Sequence, residues 1–326
     1  MYKVSILDQS PVINGESNAA ALQRTVTLAK LAEELGYARF WVSEHHNSEE
    51  VAGSSPEVLI SFILANTKTI RVGSGGVMLS HYSPYKVAEN FNVLANLAPG
   101  RVDLGVGKAP GGLPVATKAL QYNGLVDQSD FNERLALLKH YVETSGGELI
   151  PSPLAGERPE IIVLGGSIDS AKTAAELGFT YVFAQFINGS EDILLAAAKV
   201  YKEIAPQGTF GVGIAAIAAD EEQEAKRLAE GNVLYKVHLQ SGRTLSLTNL
   251  EAADQYGRQS GEAYEVVRTL VPMVSGTAQQ VQAVFDRYHA LGVDEFVIHN
   301  PITDEAARIK SIELLSPIRQ NEKVGN

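Results

Sequence analysis

Two adjacent histidines, His45 and His46, follow an apolar run at 38–43 (ARFWVS) and are the residues best placed for proton chemistry. An imidazole changes charge near neutral pH. Neutral, it takes a proton; protonated, it steadies an anion. Neighbouring side chains on an extended segment point opposite ways, so at most one of the pair enters a shared pocket unless the chain turns there. The structural alternative is a ring hydrogen-bonded to backbone or to Glu44.

Three other stretches carry chemistry in their spacing. Residues 72–77 (VGSGGV) place glycines inside an apolar strand, where glycine weakens pairing. They allow a bulge, an unusual peptide geometry or the approach of a flat ligand, or they answer a packing constraint. Residues 105–111 (GVGKAPG) put Lys108 just past a strand, either as a point charge for a phosphate or as a solvated loop lysine. Residues 164–170 (LGGSIDS) end a strand and open a helix. Exposed N–H groups, the helix dipole and two serine hydroxyls suit an anion there, although Ser167 as a plain N-cap explains the pattern equally well. Residues 211–216 (GVGIAA) resemble a dinucleotide turn, but they lie inside a strand and open no helix. The chain has no nucleophile elbow, no H-E-x-x-H and no carboxylate cluster with metal spacing.

A repeated β-then-α cadence must position these residues. Strands are predicted at 3–8, 38–43, 70–79, 102–106, 160–164, 180–184, 209–217 and 295–299, the number that closes a parallel barrel. They are apolar on both faces, as strands covered on both sides are. Helices are predicted between them: one capped by Asn18 and ended by Gly36, then 56–66, 85–97, one from Ser167 through 178, and 278–291 capped by Thr277. The Gly- and Pro-rich stretch 107–128 reads as a loop over the active face. Residues 220–275 hold an insertion whose part 240–262 reads as flexible.

Composition narrows the function. The chain has 326 residues, 45% hydrophobic and 20% charged, typical of a globular protein. A net charge of −11 argues against a broad nucleic-acid or anionic-membrane surface. With no cysteine there is no disulfide, thiol chemistry or cysteinyl metal site. No signal peptide and no membrane span are predicted, which points to the cytoplasm.

Taken together and in order, these residues resemble the bacterial luciferase-like flavin-dependent monooxygenases. The resemblance rests on E-H-H after the second strand, V-G-S-G-G-V-M-L, S-P-Y-K-V-A-E, P-G-R-V-D-L-G-V-G-K and G-G-S-x-x-S-A. It also draws on the strand end Val182-Phe183-Ala184. It covers most of the chain and is densest over 1–112 and 160–184. It implies an α/β fold, a (β/α)8 TIM barrel forming a single domain over 1–326 with an insertion between strands seven and eight. It implies FMN at the C-terminal face, as bound cofactor or reduced co-substrate. His45 then matches the catalytic histidine, Gly75-Gly76 a cis peptide beneath the flavin ring, and Lys108 an arginine near the phosphate. Gly165, Gly166, Ser167 and Ser170 match the phosphate-binding helix start. There are two departures. Lysine lacks the bidentate fork of arginine. Gly107 stands at the position of the luciferase reactive cysteine, so light emission is not implied.

The chemistry so implied is monooxygenation. Reduced FMN meets dioxygen, a C4a-hydroperoxide forms, and one oxygen passes to a small organic substrate. His45 serves as base or proton carrier, while the loop at Gly111-Gly112 and the 240–262 segment close over the site. A separate NAD(P)H:flavin reductase supplies reduced flavin, since no nicotinamide fingerprint is visible. His81, Tyr82, Gln185 and Asn300 are expected to line the substrate pocket from strand ends, and no metal is expected. The helices at 56–66 and 85–97 either pair two copies into a homodimer or simply face the barrel. Competing readings are a deazaflavin- or flavin-dependent reductase of the same superfamily, a non-catalytic flavin-binding protein, and a phosphate-binding barrel isomerase. The glycine-rich third strand speaks against the isomerase.

Overall fold

Short apolar strands and longer amphipathic helices alternate along the chain, and the barrel strands bury both faces. The computed structural model describes residues 2–13, 15–122 and 130–318. Its first strands are β1 (Lys3–Asp8), β2 (Arg39–Val42), β3 (Arg71–Ser74), β4 (Val77–Met78) and β5 (Val102–Gly107). They are followed by β6 (Glu160–Gly165), β7 (Thr180–Ala184), β8 (Phe210–Ala218), β9 (Val233–Leu239) and β10 (Thr244–Leu247). The last are β11 (Tyr264–Leu270), β12 (Met273–Gly276) and β13 (Glu295–His299). A closed parallel ring runs β13-β1-β2-β3-β5-β6-β7-β8 and back to β13, making the eight-stranded TIM barrel expected from the sequence. β4 continues the line of β3 beside β5, and β12 lies parallel on β8 outside the ring.

Helices α1 (Asn18–Glu34), α2 (Pro56–Asn66), α3 (Pro84–Leu97), α4 (Pro114–Leu120), α5 (Phe131–Glu143) and α6 (Ile168–Leu177) belong to the first half. The second half holds α7 (Gln185–Asn188), α8 (Glu191–Ile204), α9 (Glu222–Ala229), α10 (Leu250–Ser260), α11 (Ala278–Ala290) and α12 (Glu305–Leu314). Outward strand residues such as Phe40, Leu104, Tyr181, Ile214 and Phe296 meet the helices in the main core. The N-cap of α1 lies one residue earlier than predicted. Ser17 is extended and accepts from the Ala20 N–H, while Asn18 is already helical. Ser167 and Thr277 cap α6 and α11 as predicted, each completing a capping box, with Ser170 and Gln280.

Three expectations change. The strand predicted over 70–79 is broken in two, β3 and β4, with the cis Gly75–Gly76 peptide between them. Residues 114–120 of the predicted loop form α4, and residues 123–128 lie outside the described part. The 240–262 segment is ordered secondary structure: β10, β9 and β11 form an antiparallel sheet, and α10 packs against it. Val237, Leu239, Ala253 and Tyr256 give this insertion its own small core, which also takes in Leu113. That shared core, and a bond from the Val115 N–H to Gln259 Oε1 at 3.1 Å, tie α4 to the insertion.

The inward side chains alternate along each strand and stack in layers, as the two-residue period requires. On β13 the column is Glu295, Val297, His299; on β2 it is Arg39, Trp41, then Ser43 just past the strand. The middle layer is apolar, built on Leu7, Trp41, Ile162, Val182 and Val297. The layer at the N-terminal end is ionic. Arg39 reaches Asp103 and Glu160 at 2.9 Å each and Glu295 at 3.1 Å. Arg71 reaches Asp103 at 2.5 Å, and the Trp41 indole N–H donates to the same carboxylate at 2.9 Å. Burying such charges is costly, and the mutual pairing offsets that cost. Burial lowers the pKa of Arg39, but the three carboxylates around it outweigh that and raise it, so it stays charged.

Candidate active site

The third inward layer, at the C-terminal ends of the strands, is built mostly of small residues. Register and alternation place Ser43, Gly75, Gly107, Leu164, Ala184, Ala215 and His299 there. Gly107 is buried, yet a Cβ at that position would meet no atom within 4 Å, so it faces a hollow. Leu164, Ala184 and His299 are partly exposed while their strand neighbours Val163, Phe183 and Ile298 are buried, so the hollow opens to solvent. Gly75 closes the floor. A Cβ there would lie 2.7 Å from Leu7 Cδ1 and 3.2 Å from Trp41 Cβ. At Gly76 it would lie 2.6 Å from Leu164 Cδ1 and 2.8 Å from the Gly105 carbonyl. Only glycine allows the chain to pass this close, which is the use of the glycine run seen in the sequence.

The two histidines after β2 part company, as alternation predicts. His45 is held by Ser43, whose Oγ lies 3.1 Å from Nδ1. His46 turns to Glu44, with Nε2 at 2.6 Å from Oε1. Glu44 is buried and also accepts from the Tyr82 hydroxyl at 2.8 Å and the Met78 N–H at 3.0 Å. It therefore ties the end of β2 to β4 and to the turn that follows. Burial, helped by the neighbouring His46 and opposed by Glu44, pushes the His45 imidazole down to about 4. His45 is neutral at physiological pH.

His299, which sequence reasoning overlooked, reaches the same end of the barrel from β13. Burial, with Arg308, pushes it down to about 4, against the opposing charge of Asp8; His45 lowers it further. Its Nδ1 is buried with no hydrogen-bond partner, and its ring lies 5.4 Å from that of Phe186. Behind it, Asp8 receives bonds from Arg308 at 2.7 Å and Thr25 at 2.6 Å. Burial disfavours the Asp8 carboxylate, but Arg308 and Thr25 outweigh it and hold its pKa low.

The start of α6 is the anion-compatible end of the site. Ser167 and Ser170 are engaged with each other, Oγ to Oγ at 2.9 Å, and the Ser170 Oγ also lies 2.8 Å from the Tyr181 hydroxyl. A Cβ at Gly165 would come within 2.5 Å of the Ser170 Oγ, so glycine there permits this packing. The Gly166 carbonyl accepts from Asn188 Nδ2 at 2.6 Å. Lys108 is exposed, with no carboxylate partner among the described residues. The loop after β5 doubles back over His46: the His46 N–H donates to the Gly111 carbonyl at 2.8 Å, and Gly112 bridges His46.

The four strand-end residues expected in the substrate pocket fare differently. His81 is buried and bonded to the Pro110 carbonyl at 2.8 Å, so it holds the loop after β5. Tyr82 is committed to Glu44. Asn300 is turned into the wall, where Nδ2 donates to Ser311 Oγ at 2.9 Å and Oδ1 accepts from the Ile302 N–H. Gln185 starts α7 with a buried Oε1 that has no partner. Among the described residues no cluster of three or more histidine or acidic side chains is arranged to hold a metal. No described helix is long and apolar enough to cross a membrane.

A parallel (β/α)8 barrel with a hollow over a glycine-built floor and partly buried histidines at its mouth frames the site. The chain belongs to the luciferase-like monooxygenase family, whose model matches residues 3–295, and is a flavin-dependent oxidoreductase. It is 42% identical to the N-acetyl-S-alkylcysteine monooxygenase of Bacillus subtilis (strain 168), over 97% of this chain and 98% of that one. The crystal structure of apo-MsnO8 superposes with a TM-score of 0.78 at 34% identity, covering 97% of this chain and 96% of the other. The fold is shared with the oxygenating constituent of 3,6-diketocamphane monooxygenase from Pseudomonas putida, solved in complex with FMN. That superposition has a TM-score of 0.68 at 20% identity over 97% of both chains.

Proposed function

We propose that the protein is an FMN-dependent monooxygenase that uses reduced flavin and dioxygen to oxygenate a small organic substrate. The observation that carries this reading is the hollow itself, with buried Gly107 facing open space above a floor that only glycine at 75 and 76 permits. That shape suits a flat ring system. A helix start with Gly165, Gly166, Ser167 and Ser170 suits a phosphate through the helix dipole, the N–H groups of Ser167 and Ser170 being engaged in the capping box. Lys108, exposed on the loop after β5, adds a cation for it.

When bound, the flavin supplies the electrons and the activation of dioxygen. The protein orients and shields. Gly75, Gly76 and the apolar middle layer support the ring, and the loop through Gly111 covers the mouth. His45 carries the proton. Its low pKa keeps it neutral and able to accept, and an anion arriving beside Nε2 favours the charged form, so proton uptake is coupled to ligand binding. The 42% identical relative makes S-alkylated N-acetylcysteines the substrate class to assay first. We place the protein in the cytoplasm as a single-domain barrel over 1–326, supplied with reduced flavin by a separate NAD(P)H:flavin reductase. Pairing into a homodimer uses α2 and α3, where Val58, Phe62 and Leu97 are exposed.

The test is to titrate the protein with oxidised and with anaerobically reduced FMN. The reduced complex is then mixed with ¹⁸O₂ and N-acetyl-S-ethylcysteine. Binding of reduced FMN and one ¹⁸O atom in the product support the reading. Flavin binding with hydride transfer but no label favours a reductase. Absence of binding in both redox states overturns the proposal.

A further inference from the structure

Resting on the flavin reading above, we propose that Gly107 sets substrate specificity: it reserves room at the end of β5 for an apolar alkyl group of the organic substrate. The observation that carries this is a contrast between two glycines on one strand. Gly105 and Gly107 both occupy inward positions, two residues apart on β5. At Gly105 a Cβ would run into the Ser74 carbonyl, so the chain itself demands glycine. Gly73, Gly75, Gly76 and Gly165 are closed in the same way, each with an atom within 2.7 Å of where a Cβ would stand. Gly107 differs from all of them. It is buried, its φ lies outside the left-handed region, and a Cβ there would meet no atom within 4 Å. Glycine weakens a strand, and no described residue asks for it at this position. The space is kept for something the protein does not supply.

The neighbours say what the space suits. Gly107 pairs with Met78 on β4 and with Leu164 on β6. Both side chains lean away from it. Leu164 Cδ1 lies 2.6 Å from where a Gly76 Cβ would be and 3.5 Å from that of Gly105, so it lies along the floor. Met78 Cγ lies 3.0 Å from where a Gly111 Cβ would be, so it turns towards the loop after β5. The gap is flanked by a thioether and a hydrocarbon side chain, with no charged or hydrogen-bonding side chain at the paired positions. An alkyl group gains about fourfold in affinity for each methylene that leaves water for such a gap.

Height assigns the gap to the substrate rather than to the flavin. The Gly105 carbonyl is level with the floor, 2.8 Å from where a Gly76 Cβ would be. Gly107 lies two residues nearer the mouth, about 6–7 Å along the strand. A flat ring in van der Waals contact with the floor takes up about 3.5 Å of that. Gly107 is also the last residue of β5, where the loop begins that closes over His46 through Gly111 and Gly112. The group that reaches this level is the one bound between ring and loop.

The test uses the full chain loaded with oxidised FMN and three probes: N-acetyl-S-methylcysteine, N-acetyl-S-ethylcysteine and N-acetyl-S-butylcysteine. Calorimetry gives dissociation constants for wild type, Gly107→Ala and Gly107→Val. FMN affinity and urea unfolding are measured beside them. Wild type should bind the butyl probe at least about tenfold more tightly than the methyl probe. Gly107→Ala should cut that preference by about fourfold, one methylene's worth, and Gly107→Val should abolish it. The methyl probe and FMN should each stay within about threefold. Gly107→Ala should be at least as stable as wild type, since its Cβ meets nothing, and it carries the test if the valine variant does not fold. Gly105→Ala is the control and should unfold at lower urea, because its Cβ meets the Ser74 carbonyl. No gain with chain length in wild type, an unchanged preference in the variants, or equal loss across the series each overturns the assignment. So does a loss of FMN affinity in place of the chain-length effect, or destabilisation of Gly107→Ala to match the control. All of these leave the flavin reading standing. Failure of wild type to bind FMN overturns the flavin reading and this proposal with it.

Discussion

The two ends of the barrel are made by the same strands and solve opposite problems. At the N-terminal end, Arg39, Arg71, Asp103, Glu160 and Glu295 point inward and satisfy one another. Arg39 Nε forms no hydrogen bond, yet it has Glu295 at 3.1 Å. At the C-terminal end, the next inward layers give way to glycine, alanine and two neutral histidines. There His299 Nδ1 and Gln185 Oε1 are buried without partners. Charges that meet in a closed layer satisfy one another, while Arg308 Nε joins the unpaired atoms at the other end. The difference teaches that burial alone does not mark a site. The ionic end is the more highly charged, and its charges are paired with one another.

Variants at the two ends should therefore fail in different ways. The largest expected effect is at His45. His45→Ala should lower turnover by about 10²–10⁴-fold, the usual worth of a positioned proton carrier, while stability changes by less than about 1 kcal/mol. Oxygenation rates with reduced FMN, set beside urea unfolding, check this, and an equal loss in both would erase the contrast. At the opposite end, Asp103→Ala removes one of the three carboxylates around Arg39 and the main carboxylate partner of Arg71, and leaves the Trp41 indole N–H without its acceptor. It should cost about 3–5 kcal/mol of stability by urea unfolding, with FMN affinity unchanged in the folded fraction.

The pH dependence of stability sharpens the comparison. The folded-state pKa of His45 and of His299 is about 4, below the unfolded value near 6.5. The unfolded chain therefore binds more protons between these values. The contribution of each histidine is fully present above pH 6.5 and is lost as pH falls towards 4, with a slope of up to about 1.4 kcal/mol per pH unit each. The double variant His45→Asn, His299→Asn should flatten that limb in urea titrations run from pH 7 to 4. An unchanged limb would assign the acid sensitivity to other groups. The smallest effect is expected at Ser167→Ala, which removes one half of a capping box. It should cost about 1 kcal/mol by thermal unfolding and weaken FMN more than it weakens riboflavin, which lacks the phosphate.

Much of the frame was legible from periodicity. Strands such as 160–164 and 295–299 are short, apolar on both faces and regularly spaced, and that pattern has few solutions other than a parallel barrel. The glycines at 75 and 76 could be seen, but their use could not, because it depends on Leu7, Trp41, Gly105 and Leu164 approaching from other strands. The 240–262 segment looked flexible because Thr244–Leu247 is short and its flanks are polar. Its order comes from pairing with β9 and from a core shared with Leu113, contacts distant in sequence. Asn300 and Gln185 were both placed by strand-end reasoning. That rule does not say which way a side chain turns once the strand has ended, and Asn300 turns to Ser311. His299 was passed over because a single histidine at a strand end carries no motif. Its only signal was the two-residue alternation with Glu295 and Val297, which acquires meaning once the inside of the barrel is known.

By itself, then, the sequence determined the barrel, its insertion and the parting of His45 from His46, because alternation and helical period are local properties of the chain. Only the tertiary structure decided which polar groups are spent and which are kept. That depends on what eight strands bring to a common axis: a closed set of charges at one end, and at the other a hollow over a floor of glycines from separate strands.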